Sequence, residues 1–150
     1  MILKDEIIIN ASQDVVYAAL NDPEILKQCI PGCEELVKHS NTELEAKVVL
    51  KIGPVKAKFS GNVTLSPDAP PERFSLTGTG NGGAAGYAKG GAVVELEQHQ
   101  DGTLLRYTAT ADIGGKLAQL GSRLIQGTAK KLAVKFFKSF ADLVGEDNAA

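Results

Sequence analysis

Three glycines in the string G-T-G-N-G-G, at Gly78, Gly80 and Gly83, match the GxGxxG spacing through which backbone amides cradle a dinucleotide pyrophosphate. That chemistry needs a strand before the glycines and a helix after them, because the helix N-terminus holds the phosphate. Here the alternating run Ala88, Gly90, Ala92, Val94 and Leu96 follows, so the spacing does not make a nucleotide site. Cys29 and Cys33 stand in C-I-P-G-C, a wider spacing than CxxC, and His39 and His99 are far away in sequence. The thiols therefore read as reduced structural residues, and no metal set is expected. Glu43, Glu45, Glu95 and Glu97 alternate to outward positions, and both histidines fall near strand ends or loops. No carboxylate pair or nucleophile with its base faces inward, so neither catalytic residues nor a cofactor are expected.

The chain has 150 residues, 43% of them hydrophobic and 23% charged, with a net charge of −2. A single globular domain with its own core follows, and nothing in the overall charge attracts nucleic acid. Lys4, Asp5 and Glu6 break up the apolar start MILKDEIII, which leaves neither a signal peptide nor a membrane span and predicts a cytoplasmic protein.

The elements that must position any site begin with a strand over Ile2 to Ile9. Ser12 then caps a short helix with Val15, Val16, Ala19 and Leu20 on one side, and Asp22-Pro23 starts a second helical turn. The Pro31-Gly32 bend opens a series of runs with period two, from Glu34 to Ile113. Their short connections, including a glycine hairpin at Gly80 to Gly83, predict an antiparallel meander. After Gly114-Gly115, Leu117, Leu120, Leu124, Thr128, Leu132, Phe136, Phe140 and Leu143 recur at helical spacing. One continuous helix is predicted over 116–144, about 44 Å long at ~1.5 Å per residue and able to cover the sheet.

Gly61, Gly78, Gly80, Ala88, Gly90, Ala92, Ala109 and Ala111 fall at inward positions on neighbouring strands. Either the long helix drops close onto this bare region or a cavity remains. Large Leu and Phe residues on the helix, and the curvature expected of the sheet, favour a cavity for a hydrophobic small molecule. Its predicted lining is Phe59, Phe74, Leu105, Leu120, Leu124 and Ile125 with the bare positions Gly78 and Gly90. Tyr17, Tyr87 and Tyr107 are the expected polar handles. Gly121 and Gly127 mark either a bend that admits ligand or close contact between helix and sheet.

The stretches LNDPEILKQCIPGCEEL, KIGPVKAKFSGNVTL, GTGNGGAAGYAKGGAVVEL and GGKLAQLGSRLIQGTAKKLAVKFF, taken in order, resemble the CoxG family of carbon monoxide dehydrogenase subunits, within the START-like (SRPBCC) superfamily. The resemblance runs from about Ile2 to Val144 and implies an α+β helix-grip fold: a curved antiparallel sheet around a long C-terminal helix, with two short helices after the first strand. One domain, 1–144, and a disordered tail, 145–150, are expected. The resemblance further implies a non-catalytic accessory of a molybdenum hydroxylase of the carbon monoxide dehydrogenase type. Its expected work is to carry a quinone or lipid-like molecule, or to recruit the enzyme to the inner face of the cell membrane. Some members carry a further C-terminal extension; anchoring by such a tail is not expected here. Lys131, Lys135 and Lys138 form a row that reads as a solvated face or as a membrane-facing surface. Lys51, Lys56 and Lys58 form a second cluster that would suit an acidic partner or guard the sheet against association. An assembly factor with no physiological small ligand is the alternative, and an enzyme using the same cavity is disfavoured by the absent catalytic set.

Overall fold

The computed structural model describes residues 1–145. In chain order the elements are β1 (Ile2–Ile9), α1 (Gln13–Leu20), α2 (Pro23–Cys29), β2 (Cys33–Lys38), β3 (Glu43–Ile52), β4 (Val55–Ala69), β5 (Arg73–Asn81), β6 (Tyr87–His99), β7 (Gly102–Gly114) and α3 (Ser122–Val144). The seven strands form one antiparallel sheet in the order β1-β7-β6-β5-β4-β3-β2. Strands β2 to β7 follow one another as neighbours, whereas β1 and β2 occupy opposite edges. The two short helices between them therefore carry the chain from one edge of the curved sheet to the other, and α3 lies in the grip.

Local chemistry sets the ends of these helices. The Ser12 side chain accepts a hydrogen bond from the Val15 amide at 3.3 Å, and Asp22 accepts from the Glu24 amide at 2.9 Å with Pro23 in the first turn. Both arrangements satisfy amides that the helix itself leaves unpaired. Thr103, wholly buried, donates its hydroxyl to the Ala11 carbonyl at 2.7 Å and ties the start of β7 to the segment leading into α1.

Three sequence expectations are corrected. The helix predicted over 116–144 is broken: Gly115–Leu120 is a 3-10 segment, and Gly121, at φ +92°, separates it from α3. A non-glycine residue would be strained there. Within α3, Leu124 and Leu143 lie 38% and 43% exposed, while Ile125, Phe140 and Val144 are buried. Leu124 leaves the inward face because each four-residue step of the stripe drifts by about 40° around a helix of ~3.6 residues per turn. Strand β4 continues to Ala69, through part of the segment read as a loop. The glycines after β5 do not make a tight hairpin; they form a wider connection with a 3-10 turn at Gly83–Ala85. Beyond Gly145 the expected tail lies outside the described residues.

Two apolar clusters hold helix to sheet. The larger joins α1, α2 and the C-terminal half of α3 to the sheet through residues such as Val16, Leu20, Phe74, Leu105 and Phe140. The smaller gathers Phe59, Leu117 and Ile125, with Leu50, Val55 and Leu120 against them. Each fully buried side chain of this kind contributes ~1.5–3 kcal/mol.

Candidate functional site: an apolar cavity between sheet and helix

Between the two clusters lies a cavity of about 500 Å³. Its sheet wall follows one transverse row of cross-strand partners, Ala46, Gly61, Gly80, Ala88 and Ile113, on five adjacent strands. Because side chains in register stand beside one another on the same face, placing the smallest residues in one row hollows a trough across the sheet. No atom lies within 4 Å of where a Cβ on Gly80 would stand. The helix wall is made by Ile125, Thr128, Leu132 and Phe136, and the α2–β2 turn adds Ile30 and Pro31. The volume falls in the range of ~300–1,000 Å³ usual for small-molecule sites.

The structure separates the residues proposed from sequence. Phe59 and Ile125 line the cavity. Leu120 packs against the small cluster behind them. Leu124 turns outward, and its Cδ2 would lie 2.8 Å from a Cβ on Gly53, at the β3–β4 turn. Phe74 and Leu105 belong to the main core, and Tyr17 meets Phe74 edge-on with ring centroids 5.6 Å apart. Tyr107 stacks on Phe137 at 4.9 Å, in a groove between β1 and α3. Tyr87 is out of phase with Ala88; it is 54% exposed, and its ring covers Gly114. No tyrosine therefore reaches the cavity.

Gly78 and Gly90 do not line the cavity; they lie along a depression on the outer face of the sheet. A Cβ on Gly90 would overlap the Thr110 carbonyl oxygen and stand 2.9 Å from the Ala111 Cα. The glycine therefore permits a close approach of β6 to β7. Gly127, by contrast, has no close contact with the sheet, for nothing lies within 4 Å of its absent side chain.

All lining residues but one carry hydrocarbon side chains or none. The exception is Thr128, whose hydroxyl has no hydrogen-bond partner among the described residues. Helical spacing alone places Thr128 on the apolar stripe and leaves the tyrosines as the visible polar groups. The signal that could have found the trough is register: counting partners across successive hairpins brings Ala46, Gly61, Gly80 and Ala88 into line.

A family model for CoxG, a subunit of carbon monoxide dehydrogenase, matches residues 6–145. The chain belongs to the CoxG family. No curated protein matches it. Among solved structures, this CoxG family member resembles a conserved protein from Geobacillus kaustophilus, at TM-score 0.90 and 31% identity over 97% of this chain and 96% of that one. A START superfamily protein from Mycobacterium smegmatis aligns at TM-score 0.73 and 13% identity over 95% of this chain and 96% of that one. A protein from Chromobacterium violaceum aligns at TM-score 0.72 and 16% identity over 96% and 97% of the two chains. The last two likenesses establish the START-like helix-grip fold alone.

Outside the cavity, the CoxG family member carries its lysines in two settings. Lys131 and Lys135 are exposed along α3, and Lys138 is exposed and pairs with Asp142 at 3.4 Å. At the β3–β4 hairpin, Lys58 pairs with Glu34 at 3.1 Å, while Lys51 and Lys56 stand directly opposite each other. Burial raises the Tyr17 hydroxyl pKa above its ordinary value, with Asp68 adding to the effect. Burial also raises Tyr107, with Asp5 adding. Among the described residues no group of three or more His, Cys, Asp or Glu is placed to hold a metal ion, and no helix is long and apolar enough to cross a membrane.

Proposed function

We propose that this protein is a non-catalytic accessory of a molybdenum hydroxylase of the carbon monoxide dehydrogenase type, and that it binds a hydrophobic small molecule in the cavity between sheet and α3. The single observation that carries the reading is the trough of about 500 Å³ with a hydrocarbon wall on both sides. Hydrocarbon transferred from water into such a space gains ~25 cal/mol per Å² of apolar surface, with no polar group needed to hold it. A quinone or lipid-like molecule has the required apolar body, and carrying one would link the partner enzyme to the inner face of the cell membrane. Native mass spectrometry of gently purified protein, followed by organic extraction, tests this reading. A released quinone or lipid supports it; an empty protein that also fails to take up added quinones refutes it.

A second reading, an assembly or docking factor, is favoured by one observation on the exterior. Lys51 and Lys56 face each other across the β3–β4 ladder, an arrangement that like-charge repulsion makes unfavourable by itself. An acidic surface on the partner enzyme would relieve it. Reversing charge at Lys56 and Lys58 would abolish capture of the enzyme while sparing ligand uptake; unaffected capture would refute docking through this hairpin.

A further inference from the structure

Thr128 is the one lining residue with a side-chain hydroxyl, and every other side chain of the wall is hydrocarbon or absent. Threonine within a helix commonly donates its hydroxyl back to the carbonyl four residues earlier. In α3 no such bond is formed, and no other described residue receives the proton. Thr128 is only partly buried, and no buried side-chain oxygen lacks a partner among the described residues, so water reaches this hydroxyl. An occupant that displaces that water leaves the hydroxyl unpaired unless it offers an oxygen of its own. No lysine, arginine or histidine lines the cavity, so an ionised carboxylate or phosphate would have no counter-charge there.

We infer that Thr128 selects the ligand's polarity: the cavity takes an uncharged, largely hydrocarbon molecule bearing an oxygen acceptor, carbonyl or ether, at the level of Thr128. The inference rests on the cavity being a ligand site and adds to it a polarity requirement and the residue that enforces it. Pure hydrocarbons fit the walls but leave the hydroxyl unpaired, and fatty-acid-like anions bring a charge the lining cannot balance. The residue acts in binding and takes part in no reaction.

Fluorene and fluorenone test this directly, being flat, uncharged molecules of nearly one shape that differ by a ketone oxygen. Affinities for both are measured on the intact protein and on T128V and T128S, with thermal melts confirming that each variant is folded. Comparing the fluorenone-to-fluorene preference between proteins cancels the difference in hydration of the two probes. The preference is expected to fall by about two- to tenfold in T128V, the worth of one neutral hydrogen bond, and to persist in T128S. The carbonyl stretch of bound fluorenone should lie at lower frequency in the unsubstituted protein than in T128V. An unchanged preference and an unchanged stretch in T128V overturn the assignment while leaving the cavity as a binding site. Failure of both probes to bind any of the three proteins overturns the cavity reading, and the assignment with it.

Discussion

Filling the trough from the sheet side separates binding from stability. Gly80 faces open space where its side chain would stand, and its strand backbone needs no positive φ. Gly80→Val adds three carbons to the middle of the trough. If each displaces one buried carbon of a ligand, at about 0.8 kcal/mol each, binding weakens by about 2.4 kcal/mol, or roughly 60-fold. Stability should move the other way. Valine is favoured over glycine within a strand by up to ~1 kcal/mol, which for a domain of this size raises Tm by about 2–4 °C. The uncharged fluorophore N-phenyl-1-naphthylamine, titrated against both proteins, reads the binding arm, and a thermal melt reads the other. An unchanged affinity with a raised Tm would show that ligand does not occupy the trough. A lowered Tm would show that the space beside Gly80 is not free, and would refute the packing argument itself.

Other expectations follow from single contacts. Gly90→Ala places a Cβ against the Thr110 carbonyl, and should cost about 1–3 kcal/mol in a denaturant titration even though Gly90 lies outside the cavity lining. Thr103→Val removes the 2.7 Å bond to the buried Ala11 carbonyl and should lower stability by about 1–3 kcal/mol, measured in the same way. Burial raises the Cys29 thiol pKa, and Cys29 is 2% exposed, so iodoacetamide should label the more accessible Cys33 first and Cys29 only on unfolding, as read by peptide mass mapping. Raised pKa values for Tyr17 and Tyr107 mean that the folded state holds their protons more tightly than the unfolded chain. Their contribution is complete below the ordinary value of 10.0 and is lost as pH rises through the raised values, so the denaturant midpoint should fall above about pH 10 and fall less in Tyr17→Phe.

Period-two alternation makes the sheet legible because each strand presents one face inward, and the helical recurrence of leucines and phenylalanines makes its cover legible. Phase is harder to read. A stripe counted in steps of four puts Leu124 inside, but each such step drifts by about 40° around the helix. Leu124 is thereby carried off the face that Leu132 and Phe136 present, and Ile125 stands on it. The site is legible as a shortage of side chains, but not as a location. Alternation assigns Gly78, Gly80 and Gly90 to one face, and only the register separates Gly80, in the row of the trough, from Gly78 and Gly90, paired in the next row along the outer depression. The tyrosines mislead for a related reason. A buried hydroxyl-bearing ring satisfies aromatic packing as readily as ligand contact, and Tyr17 and Tyr107 are engaged with Phe74 and Phe137.

A hollow in a chain of 150 residues needs the packing on either side of it to hold without it. The two apolar clusters meet that need by gripping α3 at separate places: Ile125 near its N-terminal end, and Phe140 and Val144 near its C-terminal end. Between these grips the helix presents Thr128, Ala129, Leu132 and Ala133 to a row of alanine and glycine, so neither wall reaches the other. Protein interiors normally close such gaps because unmatched surface forfeits dispersion contacts. Here closure is resisted by the fixed ends of the helix, which the two clusters hold. A ligand entering the trough would restore the missing contacts without moving either cluster. Emptying and filling should therefore leave the fold unchanged while raising its stability by RT ln(1 + L/Kd) at free ligand concentration L, as mass action requires.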